Sequence, residues 1–161
     1  MEIERKFIVK YLPDDLNSFP HNEISQGYIS VSPVIRIRRS DDRYILTVKS
    51  KGLFCREEYE IEMSEEDFKK LSRKVEGNII SKTRYKIPLQ YGLTAELDIF
   101  HDDFEGLRYV EVEFKDVETA ESFEVPDFFG KDVTKETGYS NSDLSSMRKE
   151  DILPFIKKNM N

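Results

Sequence analysis

Charged and apolar side chains alternate one for one along much of this chain. In the opening MEIERKFIV, Glu2, Glu4 and Lys6 fall on one side of an extended backbone. Ile3, Phe7 and Val9 fall on the other, because successive strand side chains point to opposite faces. The pattern recurs with Arg36 and Arg38 against Ile35 and Ile37, with Thr47 and Lys49 against Leu46 and Val48, and with Lys82, Arg84 and Lys86 against Thr83, Tyr85 and Ile87. Acidic runs follow the same rule: Glu58, Glu60 and Glu62 flank Tyr59 and Ile61, Glu96 and Asp98 flank Leu97, and Glu111 and Glu113 flank Val112. A sustained period of two predicts strands. The stretches EIERKFIV, EISQGYISV, VIRIRRS, RYILTVKSK, REEYEIEM, IISKTRYKIPL, LTAELDIF and LRYVEVEF give about eight of them.

Their connections are short and turn-like, as at Ser40-Asp41-Asp42-Arg43, Lys51-Gly52-Leu53 and Tyr91-Gly92, which predicts antiparallel hairpins and a meander. Single glycines at Gly52, Gly77, Gly92, Gly106, Gly130 and Gly138 are read as turns. One segment breaks the period. SEEDFKKLSRKV has Ser64 as N-cap, acids in its first turn, and Phe68, Leu71 and Val75 at helical spacing. Shorter helices are expected around 13–18, 116–122 and 141–158. No repeat, low-complexity tract or Pro/Gly-rich linker divides the chain, so 1–161 is read as a single domain.

Charge segregated by strand admits two readings. A sheet with one wet face could carry cross-strand Lys/Glu ladders worth a few tenths of a kcal/mol per pair. An ordinary solvated face mixes Ser, Thr and Gln with charge, whereas six segments here carry almost uninterrupted full charges. The second reading turns the apolar faces outward against helices and the charged faces inward, onto a barrel lumen. Cations crowded there call for a polyanion, and carboxylates crowded there call for a divalent metal. Guanidinium forks and ammonium groups suit phosphate oxygens, and clustered Asp and Glu are hard oxygen ligands for Mg²⁺ or Mn²⁺. So many cations point to a longer phosphate chain such as a triphosphate.

Composition narrows the field. With 35% charged residues and a formal net charge of −7, the chain as a whole repels nucleic acid and anionic membrane surfaces. Cys55 is the only cysteine, which forbids an intrachain disulfide, and the first residues lack the apolar run of a signal peptide. A cytoplasmic location is therefore expected. Only His21 and His101 could join Cys55 in a zinc site, too few for one, and neither lies in a nucleophile motif.

Taken together, the motifs resemble those of the CYTH superfamily, the triphosphate tunnel metalloenzymes. They run in order as E-x-E-x-K at Glu2, Glu4 and Lys6, R-x-R at Arg36 and Arg38, Lys49 in TVKSK, R-x-E-x-E at Arg56, Glu58 and Glu60, and K-x-R at Lys82 and Arg84. Then come ELD at Glu96 to Asp98, E-x-E at Glu111 and Glu113, and the closing DVTKETGYSNSDL. The resemblance spans residue 2 to about 145. It departs at Phe128-Phe129-Gly130, where many bacterial relatives have tryptophan before the glycine.

The resemblance implies an α+β fold: an eight-stranded antiparallel β-barrel forming a polar tunnel, with helices packed outside. It implies Lys6, Arg36, Arg38, Lys49, Lys82 and Arg84, with Arg56 as a further candidate, as triphosphate ligands. Glu2, Glu4, Asp98, Glu111 and Glu113 become ligands of Mg²⁺ or Mn²⁺. Glu111 or Glu113 would accept the proton of an attacking water, and Tyr28 with Lys49 is similar to a Tyr/Lys pair of thiamine-triphosphate-hydrolysing relatives. Tyr28 reads equally well as a core tyrosine. The substrate would be a small triphosphate, inorganic tripolyphosphate being favoured because no residue set addresses an adenine or thiazole ring. Thiamine triphosphate hydrolysis, cyclisation of ATP to cyclic AMP and pyrophosphate, and a polyphosphate-binding module without turnover stand as alternatives. The terminal DILPFIKKNMN either forms a helix near one tunnel mouth or packs outside, the latter being favoured.

Overall fold

The computed structural model describes residues 1–51 and 54–160. Ten strands form one sheet: β1 (Glu2–Val9), β2 (His21–Val31), β3 (Val34–Ser40), β4 (Arg43–Lys49), β5 (Cys55–Arg56), β6 (Glu58–Met63), β7 (Glu76–Pro88), β8 (Thr94–Phe100), β9 (Arg108–Phe114) and β10 (Phe129–Asp132). Every pairing is antiparallel, and the order is β10-β1-β9-β8-β7-β2-β3-β4-β6. β5 pairs with the start of β1, setting Glu2 against Arg56 and Ile3 against Cys55, and leads through Glu57 into β6 at the far edge. That short link wraps the sheet into a nearly closed barrel, leaving little unpaired edge.

Eight strands were expected and ten are present. REEYEIEM divides at Glu57, whose N–H and carbonyl turn aside to Ser50: the N–H donates to Ser50 Oγ at 2.7 Å and the carbonyl accepts from Ser50 N at 2.9 Å. β10 is too short to show alternation. Gly130 lies inside it rather than in a turn, where a Cβ would come within 2.8 Å of the Ile8 carbonyl oxygen. The turn expected at Lys51-Gly52-Leu53 lies outside the described residues.

The helices follow the predicted positions. α1 (Glu65–Ser72) starts on the Ser64 hydroxyl, which accepts from Asp67 N at 3.1 Å, and ends three residues before Val75. The expected helix at 13–18 is a single 3-10 turn at Leu16–Ser18, and α2 (Val117–Glu121) is capped by Asp116. The stretch 141–158 is two helices, α3 (Asn141–Ser146) and α4 (Lys149–Asn159), separated by extended residues Met147 and Arg148.

Burial explains how one alternation serves two environments. Outward side chains Ile3, Phe7, Leu97, Val110 and Val112 are buried under α2, β10 and neighbouring loops. Inward positions change character along the strands: Lys6 gives way to Ile8, Lys82 to Ile80, Asp98 to Phe100, and Glu111 to Tyr109. These four inward apolar residues join Leu107, Leu144, Ile152 and Ile156 in a second core that fills one end of the barrel. The lumen is thereby blind at that end and charged in the rest. α4 packs on this plug through Ile152 and Ile156, so the C-terminal segment is a helix set against the filled end of the barrel.

α3 is pinned against β7. Gly77 takes φ +77°, and a Cβ there would meet the Ser145 carbonyl oxygen at 2.1 Å. The neighbouring Asn78 donates from Nδ2 to the carbonyls of Leu144 (2.9 Å) and Met147 (2.8 Å), satisfying the end of α3. Asn78→Ala would leave buried acceptors unpaired and is expected to cost about 1–3 kcal/mol of unfolding free energy. Urea denaturation checks this, and an unchanged midpoint would show that α3 is held by other contacts.

Candidate functional site

The charged part of the lumen encloses a cavity of about 180 Å³ whose wall includes six cations (Lys6, Arg36, Arg38, Lys49, Arg56, Arg84) and seven carboxylates (Glu2, Glu4, Glu58, Glu60, Glu96, Glu111, Glu113). Tyr28 and Val34 are its only carbon-rich side chains, and Ser140, Asn141 and Ser142 close over it from α3. A shallower acidic groove of about 270 Å³ bordered by Met1, Glu2, Glu58, Glu60 and Glu113 forms its mouth. Strand register sets the depth. Lys6, Lys82, Arg38, Asp98 and Glu111 lie beside the apolar plug, Glu96 faces Glu111 directly across the β8–β9 pair, and Glu2, Glu58, Glu113, Lys49 and Arg56 lie near the mouth.

Two of the expected site residues do not reach the cavity wall. Lys82 and Asp98 are wholly buried behind it, paired at 2.8 Å. Asp98 also accepts from Arg84 Nε at 2.8 Å and Nη2 at 2.9 Å, so both of its oxygens are occupied by cations. Burial opposes the ionised carboxyl, but Arg84 and Lys82 outweigh it and hold the Asp98 pKa down. Burial pulls Lys82 itself down to about 7, against the attraction of Asp98. Tyr28, which lines the cavity, makes no hydrogen bond to Lys49 among the described contacts.

The remaining cations divide into paired and unpaired. Glu2 takes Lys49 Nζ at 3.2 Å and Arg56 Nε at 3.1 Å. By contrast Lys6 donates only to the Tyr139 carbonyl at 3.4 Å, Arg36 to Thr47 Oγ1 at 3.1 Å, and Arg38 to Gln26 Oε1 at 2.7 Å. None of these three forms an ion pair with a carboxylate among the described residues, and the buried Nε of Arg36 has no partner at all. A buried donor without an acceptor costs about 1–3 kcal/mol, a cost that an acceptor placed beside Arg36 would relieve.

Glu2, Glu4 and Glu113 each bring a carboxylate oxygen within 4.8 Å of the others. Glu111 and Asp98, also expected as metal ligands, are not in that group. The three carboxylates are hard ligands and their ionisation bears the mark of crowding. Burial pushes Glu4 up to about 8, helped by the charges of Glu111 and Glu2 and resisted by Lys6. Burial likewise raises Glu113, followed by the charges of Glu96, Glu2 and Glu111. Glu2 goes the other way: burial is outweighed by a hydrogen bond from Glu58 and by Lys49 and Arg56, which bring it to about 2. Glu111, buried but facing Lys6, Arg84 and Lys82, sits far below the usual carboxylate range. A divalent ion among oxygen ligands is what would relieve Glu4 and Glu113.

Sequence reasoning passed over several residues of this wall. Glu58, Glu60 and Glu96 share the inward phase of the strands and were visible in that alternation. Gln26 shares it too, directly opposite Arg38 across the β2–β3 pair, but as a neutral residue it carried no signal. Ser140, Asn141 and Ser142 arrive from a helix far along the chain, where no period betrays an inward direction.

Comparison with known proteins agrees with this geometry. A model described as the CYTH domain matches residues 1–148. The chain is 38% identical over 148 residues to an inorganic triphosphatase of Nitrosomonas europaea, covering 89% of this chain and 96% of that one. It is 38% identical over 149 residues to an inorganic triphosphatase of Acetivibrio thermocellus, covering 89% and 92%. A crystal structure of an inorganic triphosphatase superposes with a TM-score of 0.69 at 34% identity, covering 92% of this chain and 96% of the other.

With its pKa near 8, Glu4 is protonated at pH 7 in the metal-free protein, and a cation that takes this carboxylate must displace the proton. Mg²⁺ or Mn²⁺ titrated by calorimetry at pH 7, in buffers of differing ionisation enthalpy, is expected to release about one proton per ion. Affinity should climb by about tenfold per pH unit below 8 and level off above it. Glu4→Gln abolishes the release; a pH-independent affinity would remove Glu4 from the metal group.

Proposed function

Because the chain belongs to the CYTH domain family, we propose that it is a divalent-metal-dependent triphosphatase that cleaves inorganic tripolyphosphate to orthophosphate and a diphosphate. The observation that carries this reading is the trio Lys6, Arg36 and Arg38, which face the cavity without carboxylate partners while the carboxylates of Glu2, Glu4 and Glu113 gather at a distance suited to one metal ion. The names of the two curated relatives support the reaction. The preference for an inorganic substrate is supported by the wall itself, since Tyr28 is the one aromatic side chain among its described residues and is almost fully buried. A cytoplasmic setting, in which the lone thiol Cys55 stays reduced, completes the proposal.

In this scheme the residues hold and polarise rather than form a covalent intermediate. Lys6, Arg36 and Arg38 seat the phosphate chain, with Arg84 held in line by Asp98 and Lys82 standing behind as a source of positive field. Lys49 and Arg56 serve phosphate oxygens nearer the mouth. Glu2, Glu4 and Glu113 would hold Mg²⁺ or Mn²⁺, which when bound supplies charge neutralisation at the phosphoryl group under attack. A water attacking in line must lose a proton. Lys6, Arg84 and Lys82 keep Glu111 strongly acidic, which leaves Glu113 to accept it. Glu111 instead tempers the cations beside the plug.

The test is to incubate the protein with tripolyphosphate, ATP and thiamine triphosphate in turn, with Mg²⁺, Mn²⁺ or EDTA, and to quantify orthophosphate, pyrophosphate and cyclic AMP separately. Metal-dependent orthophosphate, fastest from tripolyphosphate, is expected; cyclic AMP from ATP, or binding with no product, would overturn the reading. Glu4→Gln should lower kcat by about 100-fold or more while thermal unfolding stays cooperative. Arg38→Ala should raise KM by about tenfold or more through loss of a bidentate phosphate contact, and kinetics equal to those of the unsubstituted protein would exclude Arg38 from the seat.

A further inference from the structure

Arg38 and Lys82 are joined by two neutral side chains that no charge pattern announces. Gln26, 1% exposed, accepts from Arg38 Nε through Oε1 at 2.7 Å and donates from Nε2 to Asn141 Oδ1 at 3.0 Å. The same Asn141 oxygen accepts from Lys82 Nζ at 3.0 Å. Lys82 continues to Asp98, and Asp98 to Arg84. The direction of this chain is forced at both ends. A guanidinium and an ammonium can only donate, so each amide must turn its oxygen to its cation, and the Gln26 NH₂ is left to face Asn141. One flipped amide would set donor against donor.

From this we propose that Gln26 and Asn141 are positioning residues, which fix Arg38 as a preassembled seat for the inner end of the phosphate chain and hold Lys82 behind it. The inference rests on the triphosphate reading of the cavity. An arginine has five donors in a rigid plane. Holding Nε fixes that plane about the end of a long flexible side chain and leaves the Nη donors for phosphate. Nothing else among the described residues holds the Arg38 guanidinium by a hydrogen bond. A seat ordered in advance does not spend binding energy on ordering itself. Asn141 reaches this wall from α3, 115 residues from Gln26 in sequence. Its helix is anchored separately, at the other end, by Asn78 and Gly77. Position and anchorage can therefore be tested apart.

Tripolyphosphate affinity is measured by calorimetry in EDTA, with kcat, KM and Tm, for the unsubstituted protein, Gln26→Met, Asn141→Ala, the double variant, and Asn78→Ala as the anchoring control. Gln26→Met and Asn141→Ala are each expected to weaken tripolyphosphate binding and raise KM by about tenfold, with kcat changed far less. The double variant should be little worse than either alone, because both break one chain. Asn78→Ala should lower Tm and leave KM as it was. Gln26→Glu, which keeps an acceptor for Arg38 but sets a carboxylate against Asn141 Oδ1 and the phosphate chain, should weaken binding at least as much as Gln26→Met. Single effects that multiply, or a KM that merely follows Tm as the anchor is removed, would overturn the inference. If the unsubstituted protein neither binds nor cleaves tripolyphosphate, the reading beneath it fails as well, a result distinct because it precedes any substitution.

Discussion

Charges gathered inside a barrel cannot be left to water, and this one requirement organises the rest of the molecule. Six cations and seven carboxylates line a cavity of about 180 Å³. Such a collection folds only if opposite signs interleave, if hydrogen bonds satisfy what remains, and if an apolar shell elsewhere supplies the stabilisation that buried charge does not. The outer faces of β1, β8 and β9 provide that shell. The plug of Ile8, Ile80, Phe100 and Tyr109 provides a second core within the barrel, using the same inward positions that carry charge farther along. The price of the site is thus met by strands that are largely apolar on one face and apolar on the other only in part.

The plug also gives the cavity a direction. Beside it lie Lys6, Arg38 and Lys82 with the ionised Asp98 and Glu111, while the mouth is dominated by Glu2, Glu58, Glu60 and Glu113. The E-x-E pair at Glu111 and Glu113 illustrates what depth does to one residue type. Two positions apart on β9, both inward, Glu111 is driven strongly acidic by three cations and Glu113 is driven up by burial and three carboxylates. A motif read along the chain makes them equivalent, and the field across the barrel does not.

Much of this was legible in the sequence because alternation is a local signal. The strands, the antiparallel meander, the inward charge and most of the charged residues of the cavity wall follow from a period of two and from short turns. What escaped was whatever depends on distance across the fold. β10 is four residues long and is a strand only because β1 offers it an edge. Gly130 looked like a turn and is instead a place where two backbones approach. The resemblance offered Asp98 as a metal ligand; its carboxylate lies between Lys82 and Arg84, which only the β7–β8 pairing sets beside it. Gln26 was invisible for a different reason, and Asn141 stood in the closing motif without a role: an amide's importance lies in which charged groups flank it.

Glu2 shows how the two halves of the site depend on each other. Its carboxylate holds Lys49 and Arg56 at once, and it is also one of the three oxygen donors that converge at the mouth. Under the triphosphatase reading these duties compete. As Glu2 turns to a divalent ion, Lys49 and Arg56 lose their counter-charge, and their positive field becomes available to phosphate oxygens. A phosphate chain seated on those cations in turn frees Glu2. Each ligand removes the other's competitor, so the two bind with positive coupling, and by linkage the gain is equal in both directions. Under that reading, the interleaved ion pairs that let the barrel fold without either ligand would also be the interactions that couple metal binding to phosphate binding.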